Sequence, residues 1–292
     1  MLAWQAFDKR VNYLAFSPDG TRVVACGDSE GIKVFDSFTG RELWFRTGDG
    51  RREHWHGHFT PDGKRVVLLF GNQILVLAAD DGRELAKHSR VIAAFALLPD
   101  SQHLIAVTRA MDTCELKQLT LLGGDRIWKK VLTYKGGIIR LILSPDQRHL
   151  ATISNFEGLL LDTATRKIRF KLPDKRFDNL SAHLAFSPDG RTLVYTAGSA
   201  LHVCDVEAAK LRATVTRKGT GHGELAFTPD GRHLLRVGQG ASVSLWDTAA
   251  WEPARSYNWK AGRLSSLTVS PDGTRAAVAS ERGKIVVWDL DV

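Results

Sequence analysis

The stretch YLAFSPDGTRVVACG, residues 13–27, decides the fold of this chain of 292 residues. Apolar and small residues alternate on both sides of Ser17-Pro18-Asp19-Gly20, as in two short strands. Pro18 presets its own φ, Asp19 can bind nearby backbone N–H groups, and Gly20 tolerates a positive φ. The stretch therefore predicts a β-hairpin closed by a tight turn.

The same turn recurs along the whole chain. Its seven prolines are 38 to 46 residues apart, a spacing typical of repeat architectures. They are Pro18, Pro61, Pro99, Pro145, Pro188, Pro229 and Pro271. Seven units of this length occupy all of the sequence, so we expect residues 1–292 to form a single domain.

Each unit contains two further strands. In the first unit a polar loop leads to IKVFD (Ile32–Asp36), and the turn SFTG leads to RELWF (Arg41–Phe45). Four short antiparallel strands per period of about 42 residues are typical of a propeller blade. The sequence therefore predicts an all-β, seven-bladed β-propeller.

The third strand ends in an apolar residue followed by aspartate in five units. These pairs are Phe35-Asp36, Leu161-Asp162, Cys204-Asp205, Trp246-Asp247 and Trp288-Asp289. With its two Trp-Asp copies, the chain resembles the WD-repeat family over its full length, and turns such as PDGRT are similar to those of bacterial WD-repeat proteins. In such proteins propellers often adjoin kinase or signalling-ATPase modules. The resemblance implies a rigid, non-catalytic scaffold or sensor that recruits proteins or peptides on its loop face.

The two ends of the chain predict how the ring closes. The last unit stops after its third strand, IVVWDL, whereas an additional segment, Leu2–Phe7, precedes the first turn. In this segment Trp4 matches Trp44 and Trp128 of other fourth strands. We expect the N-terminal segment to complete the last blade, which would remove the open sheet edges.

Composition narrows the class of protein. Hydrophobic residues make up 43% and charged residues 25%, which is the range of ordinary globular domains. No apolar run approaches the roughly 20 residues that span a bilayer, and Asp8, Lys9 and Arg10 place charges where a secretory segment would be apolar. Cys26, Cys114 and Cys204 form no CxxC pair, which favours a reducing compartment. We expect a cytoplasmic protein that is monomeric, has no membrane association, and stands alone or forms part of a multidomain chain.

The net charge of +8 has a predicted location. Loops that join a fourth strand to the next first strand contain thirteen basic and five acidic residues, so the whole excess falls on one face of the disc. The partner-binding candidates among them are Arg51, Arg52, Lys175, Arg176, Arg217 and Lys218. An acidic protein or peptide is the expected partner, through arginine–carboxylate pairs. A sequence-independent polyanion or nucleic-acid contact is the alternative, with stacking on Tyr13, Phe177, Tyr257 and Trp259.

Further candidates are expected at the mouth of the central channel. The residue five positions before each turn proline lies on the innermost strand, and in five units it is large and polar: Tyr13, His56, Arg140, His183 and Glu224. Imidazoles and a carboxylate could hold a small ligand or a metal ion, or act as acid and base. His54, His56 and His58 also share one strand face. The simpler interpretation is that polar residues face a wet channel and that Cys26, Cys204 and the Trp-Asp tryptophans are core.

No catalytic or cofactor motif is present in the sequence. A GxSxG elbow, an HExxH pair, a P-loop and a dinucleotide-binding glycine pattern are all absent. We therefore expect no enzyme activity, no metal and no cofactor. On the opposite face, arginines follow the proline turns, and we expect them to form a ring of salt bridges with the turn aspartates. They are Arg22, Arg65, Arg148, Arg191, Arg232 and Arg275.

Overall fold

A computed structural model shows an all-β molecule with 28 strands. The residues that it describes are 1–48, 56–89, 92–110, 113–122, 129–135, 138–154, 157–173, 177, 182–216, 223–238 and 241–291. Within these ranges no helix is long and apolar enough to cross a membrane.

The strands form seven antiparallel four-stranded sheets, which are the predicted blades. Blade 1 contains β2 (Val11–Phe16), β3 (Arg22–Gly27), β4 (Gly31–Asp36) and β5 (Glu42–Thr47). Blade 2 contains β6 (His56–Phe59), β7 (Arg65–Phe70), β8 (Gln73–Ala78) and β9 (Glu84–Ser89). Blade 3 contains β10 (Ile92–Leu97), β11 (His103–Ala110), β12 (Thr113–Thr120) and β13 (Lys129–Lys135). Blade 4 contains β14 (Ile138–Leu143), β15 (His149–Ser154), β16 (Gly158–Asp162) and β17 (Ile168–Lys171).

The remaining three blades follow the same order. Blade 5 contains β18 (Leu184–Phe186), β19 (Thr192–Ala197), β20 (Ala200–Asp205) and β21 (Lys210–Thr216). Blade 6 contains β22 (Leu225–Phe227), β23 (His233–Val237), β24 (Ser242–Asp247) and β25 (Glu252–Asn258). Blade 7 contains β26 (Leu264–Val269), β27 (Arg275–Ser280), β28 (Lys284–Asp289) and β1 (Leu2–Gln5). The first strands of successive blades contact one another around the ring, so they are the innermost strands and surround the channel.

The N-terminal strand closes the ring, as the sequence predicts. Strand β1 pairs antiparallel with β28, with Trp4 opposite Ile285. Beyond β1, the backbone N–H groups of Ala6 and Phe7 donate to the Gly283 carbonyl at 2.9 and 3.2 Å. Blade 7 therefore has four strands like the others, although its outer strand comes from the opposite end of the chain.

Each proline turn is held by a hydroxyl and a carboxylate. The Ser17 hydroxyl donates to Asp19 at 2.5 Å and accepts the Arg22 N–H at 2.9 Å. Gly20 closes this turn with a φ of 72°. Serine and aspartate repeat the pattern at Ser187 and Asp189, where the hydroxyl lowers the pKa of the carboxyl group. The repeated S/T-P-D sequence thus acts through specific hydrogen bonds.

In the apolar-Asp pairs that end the third strands, the two residues have different structural roles. Trp246 and Trp288 are core residues, as predicted, with 1% and 4% of their surfaces exposed. The following aspartate holds the next turn: Asp36 accepts the N–H groups of Phe38 and Thr39. One residue therefore anchors the blade core, and its neighbour positions the fourth strand.

The turn-face arginines differ from the expected ring of salt bridges. Arg275 donates to the carbonyls of Gly20 and Ser37 in blade 1 at 2.9 and 3.1 Å. Arg22 likewise reaches the Gly63 carbonyl of blade 2, and pairs there with Asp80 at 3.1 Å. Because an arginine offers five N–H donors, it can satisfy several carbonyls at once. Arg275 and Arg22 thus join neighbouring blades, whereas Arg65 and Arg232 form the expected ion pairs with the turn aspartates Asp62 and Asp230, at 3.6 and 3.9 Å.

Candidate functional site

A β-bulge positions the channel-mouth residues in four blades. The innermost strand has one additional residue between Val11 and Tyr13, and likewise between Ile138 and Arg140. Blades 3 and 7 have the same irregularity, immediately before Ala94 and Ser266. The residue after the bulge is the one five positions before the turn proline. A bulge re-aims the side chains around it, which sets these residues apart from the regular part of the strand.

Tyr13 is bound to a histidine of the next blade. Its hydroxyl lies 2.9 Å from Nε2 of His58, and its ring contacts His56 at 5.4 Å between centroids. Burial raises the pKa of Tyr13, and the Glu224 carboxylate adds to the effect. Burial lowers the pKa of His58 to about 4, so its imidazole is neutral at pH 7. A neutral imidazole has one nitrogen that can accept a hydrogen bond from the Tyr13 hydroxyl.

Glu224 is fixed by hydrogen bonds to blade 7. Its Oε2 atom accepts the Ser266 hydroxyl at 2.8 Å and the Leu267 N–H. The Ser266 oxygen accepts in turn the Leu14 N–H of blade 1 at 3.0 Å. Burial raises the pKa of Glu224, while these two donors and the charge of Arg140 act in the opposite direction. A continuous hydrogen-bonded path thus joins blades 6, 7 and 1 around the channel.

The side chain of Arg140 differs from the other polar side chains at the channel mouth. It lies half-buried on β14 and makes no hydrogen bond or ion pair with any residue that the structure describes. Burial raises the pKa values of both Tyr13 and Glu224, and the charge of Arg140 opposes this rise. Within the described part of the chain the guanidinium group of Arg140 thus has no direct partner, unlike those of Arg22 and Arg275.

The structure brings most of the predicted channel-mouth set together. Tyr13, His56, Arg140 and Glu224 interact through ring contact or charge. His183 lies on blade 5, just before β18, where its backbone N–H donates to the Thr196 hydroxyl at 2.9 Å. The predicted histidine set is partly described: His56 and His58 share one side of β6, and His54 lies outside the described residues.

Sequence reasoning missed the partners of this site. It read His58 as an ordinary residue of the inner strand, whereas His58 holds the Tyr13 hydroxyl. It did not identify Ser266 as the support of Glu224, although both residues stand five positions before a turn proline. That shared register was the signal from which Ser266 could have been found. The backbone N–H donors of Leu14 and Leu267 have no signal in the sequence.

The six basic candidates of the loop face are Arg51, Arg52, Lys175, Arg176, Arg217 and Lys218, and they lie outside the described residues. Among the described loop cations, Arg10 and Arg263 both pair with Glu281, at 3.4 and 3.7 Å. Lys87 and Lys135, expected in loops, lie within β9 and β13. Part of the positive charge of this face is thus neutralised locally.

The aromatic residues expected on the loop face are packed against the blades. Phe177 is buried, with 3% of its surface exposed, and its ring lies 5.9 Å from that of Tyr195. Trp259 packs against Trp288 at 4.3 Å, and Tyr257 stacks on Trp259 at 5.8 Å. The expectation that Phe177 offers a stacking surface is therefore wrong, because it fills an inter-blade core.

The metal ligands considered in the sequence do not meet in the described part of the chain. There, no three histidine, cysteine, aspartate or glutamate side chains lie close enough to hold one ion. Cys26, Cys114 and Cys204 are buried free thiols, and burial raises the pKa of Cys26. Cys26 and Cys204 behave as small hydrophobic core residues, as predicted.

Comparison with known proteins points to one family. Residues 4–36 and 251–289 match the family model described as WD domain, G-beta repeat. An uncharacterized WD repeat-containing protein of Synechocystis is 25% identical over 49% of this chain and 41% of its own length. Apoptotic protease-activating factor 1 of Rattus norvegicus is 25% identical over 85% of this chain and 20% of its own length. Protein groucho of Drosophila melanogaster is 25% identical over 39% of this chain and 16% of its own length.

These matches agree with the architecture. The chain spans less than half the length of each of these relatives. The matched segments include the second half of the closing strand and the Trp288-Asp289 pair, which lie together in blade 7. The seven four-stranded blades and the recurring proline turns show a β-propeller, and its terminal segments are similar to WD-repeat proteins.

Proposed function

We propose that this protein is a non-catalytic interaction scaffold whose residues 1–292 act as one domain and bind an acidic peptide segment of a partner protein. WD-repeat relatives support a role in binding other proteins, and the rat relative is named for activating a protease, which is another protein. The proposed site combines the channel mouth with the basic loops.

The observation that carries the proposal is the open guanidinium group of Arg140. A half-buried arginine without a direct ion pair among the described residues bears a cost of partial desolvation that the more distant Glu224 carboxylate offsets only in part. A carboxylate of the partner would supply that pair and could bind two N–H groups at once. Tyr13 and His56, fixed beside it, would form one wall of the site.

The surrounding charge supports the same class of ligand. The net charge of +8 would draw an acidic segment towards this face, because the sequence predicts that the loop cations Arg51, Arg52, Lys175, Arg176, Arg217 and Lys218 belong to it. In this proposal the loops accelerate association and Arg140 provides the anchor.

Fluorescence anisotropy with labelled peptides of graded aspartate and glutamate content tests the proposal. The wild type should bind the acidic peptides in preference to neutral and basic ones. Arg140→Gln should weaken that binding about tenfold, since a hydrogen bond to a charged group contributes about 1.5–3 kcal/mol. Arg212→Gln is the matched control: it removes the same charge from an exposed position on the outer strand β21 and should bind like the wild type.

Two results would count against the proposal. One is a wild type that shows no preference for acidic peptides. The other is an equal loss of affinity in both variants, which would reduce the role of Arg140 to net charge. Binding of single-stranded DNA in preference to every peptide, with log affinity falling steeply with log salt, would favour the polyanion alternative.

A further inference from the structure

Two opposite charges occupy equivalent positions at the channel mouth. Arg140 and Glu224 each stand five residues before a turn proline, on blades 4 and 6. Glu224 directs its Oε2 atom at Ser266 and Leu267, and its Oε1 atom has no hydrogen-bond partner among the described residues. The mouth therefore presents both an open donor group and an open acceptor atom.

We propose that Glu224 makes this site select a peptide carboxylate over a phosphodiester chain. The inference rests on the proposed function, and it names the property that separates the two anionic ligands the sequence suggests. A site gains specificity when it contains an element that repels the wrong ligand as well as one that attracts the right one.

The two ligands differ in charge spacing and in donors. A peptide can place one carboxylate on Arg140 and offer a backbone N–H group to the open oxygen of Glu224. A nucleic-acid strand carries a negative charge on every nucleotide and no donor along the DNA sugar-phosphate chain. When one phosphate binds Arg140, its neighbours are repelled by the carboxylate of Glu224.

The surroundings keep Glu224 in a position to act in this way. The hydrogen bonds from Ser266 and Leu267 stabilise its charged form and prevent the side chain from turning away. Arg10 also acts on Glu224, but its guanidinium group pairs with Glu281 at 3.4 Å. Arg140 is the other cation acting on this carboxylate, and a bound anion would compete for it.

The test compares the affinities of one acidic peptide and of oligothymidylate for the wild type and Glu224→Gln at low salt. Glutamine keeps an oxygen that can accept from Ser266 and Leu267 and removes the charge. We expect the affinity for oligothymidylate to rise about fivefold or more, a Coulombic effect at short range in a partly buried site. The affinity for the peptide should change about twofold at most.

Two further variants make the outcome specific. Glu281→Gln removes the same charge from another carboxylate of the loop face and should raise the affinity for oligothymidylate by less. Glu224→Asp keeps the charge and should retain the wild-type selectivity, which separates charge from packing.

An unchanged ratio of the two affinities in Glu224→Gln, or equal effects of Glu224→Gln and Glu281→Gln, overturns this inference. The proposed function survives that result as long as the wild type prefers acidic peptides. If the wild type binds no acidic peptide, the proposed function fails, and the inference fails with it.

Discussion

At the scale of the residue, the channel mouth contains polar groups that have very different environments. The Tyr13 hydroxyl is satisfied by His58, and the Oε2 atom of Glu224 is satisfied by Ser266 and Leu267. Arg140 has no such partner within the described chain. Buried polar groups are normally hydrogen-bonded, and for this reason we propose that the guanidinium group of Arg140 binds a ligand.

The pKa of His58 leads to a prediction about acid stability. The pKa of His58 is about 4 in the folded protein, below the ordinary histidine pKa of 6.5, because burial favours the neutral imidazole. The unfolded chain therefore binds the proton more readily. The contribution to stability is complete above about pH 6.5 and is lost as the pH falls towards 4, by about 3 kcal/mol in total.

Urea unfolding between pH 7 and 4.5 measures this effect. His58→Gln keeps a group that can accept from Tyr13 but does not titrate, so the stability of this variant should fall less over the same range. His149, whose pKa is also lowered by burial, remains in both proteins and adds the same slope to each. Parallel curves for the wild type and His58→Gln would contradict the prediction.

At the scale of the element, blades are joined by side chains that reach from one sheet to the next. Arg275 is the most enclosed of the turn-face arginines that make such contacts, with 9% of its surface exposed. Its guanidinium carbon lies 3.8 Å from the ring centroid of Phe38 and 5.7 Å from that of Phe16. Phe38 covers this arginine from outside, and for this reason a large aromatic residue that is 63% exposed has a structural role here.

Arg275→Ala should therefore destabilise the protein by about 3 kcal/mol, the sum expected for its carbonyl hydrogen bonds and its aromatic contacts. Arg232→Ala is the matched control, since Arg232 has 82% of its side chain exposed and pairs with Asp230 only at 3.9 Å. Its free energy of unfolding should change by less than about 0.5 kcal/mol. Equal changes in the two variants, measured by urea unfolding, would show that the inter-blade contacts contribute little.

The closing strand gives a second prediction at this scale. Gly283 has a φ of 77°, and a Cβ atom there would overlap the Phe7 carbonyl oxygen beside the N-terminal strand. Gly198 occupies the equivalent turn of blade 5 with a φ of 59°, and no described heavy atom lies within 4 Å of a Cβ atom built there. Both Gly→Ala variants lose about 1 kcal/mol to the positive φ.

Gly283→Ala should lose in addition about 2 kcal/mol or more, because the backbone at the closure must move. Thermal melting of the two variants under identical conditions measures the difference. If Gly283→Ala and Gly198→Ala have the same melting temperature, the contact between Gly283 and the N-terminal segment is not needed to keep the ring closed.

Turn chemistry made the strands predictable. The Ser17-Pro18-Asp19-Gly20 sequence specifies its own turn, so the hairpins, the period and the closure could be predicted from local residues. The bulge before Tyr13 could not, because it depends on how β2 pairs with β3. The interaction between Tyr13 and His58 joins blade 1 to blade 2, and the residues are far apart in the sequence, so no local pattern predicts it.

At the scale of the whole molecule, charge and shape act together. The excess of eight positive charges falls in loops that the sequence places on one face, while the turn face is occupied by arginines that contact neighbouring blades. The basic character of the loop face stays a prediction from the sequence. The sequence could not predict that Arg10 and Arg263 share Glu281, because this carboxylate lies in another loop of the sequence.

The loop charges and Arg140 should affect peptide binding in different ways. Replacing Arg51, Arg52, Lys175, Arg176, Arg217 and Lys218 by glutamate should weaken binding at low salt and flatten its dependence on salt, since exposed charges are screened. Arg140→Gln should weaken binding at every salt concentration and leave the slope nearly unchanged, because a partly buried contact is screened less. Titrations of both variants from low to moderate salt measure the two slopes, and identical slopes would contradict this division of roles.

The measurement that tests the central claim most directly is ¹⁹F NMR of the protein labelled with fluorotyrosine. The chain has four tyrosines, and Tyr13 is the one at the channel mouth, whereas Tyr195 and Tyr257 pack between blades. Its resonance can be assigned with Tyr13→Phe. We predict that an acidic peptide shifts the Tyr13 resonance in the wild type and not in Arg140→Gln at the same peptide concentration. Binding of that peptide with the Tyr13 resonance unmoved would place the partner elsewhere and contradict the account.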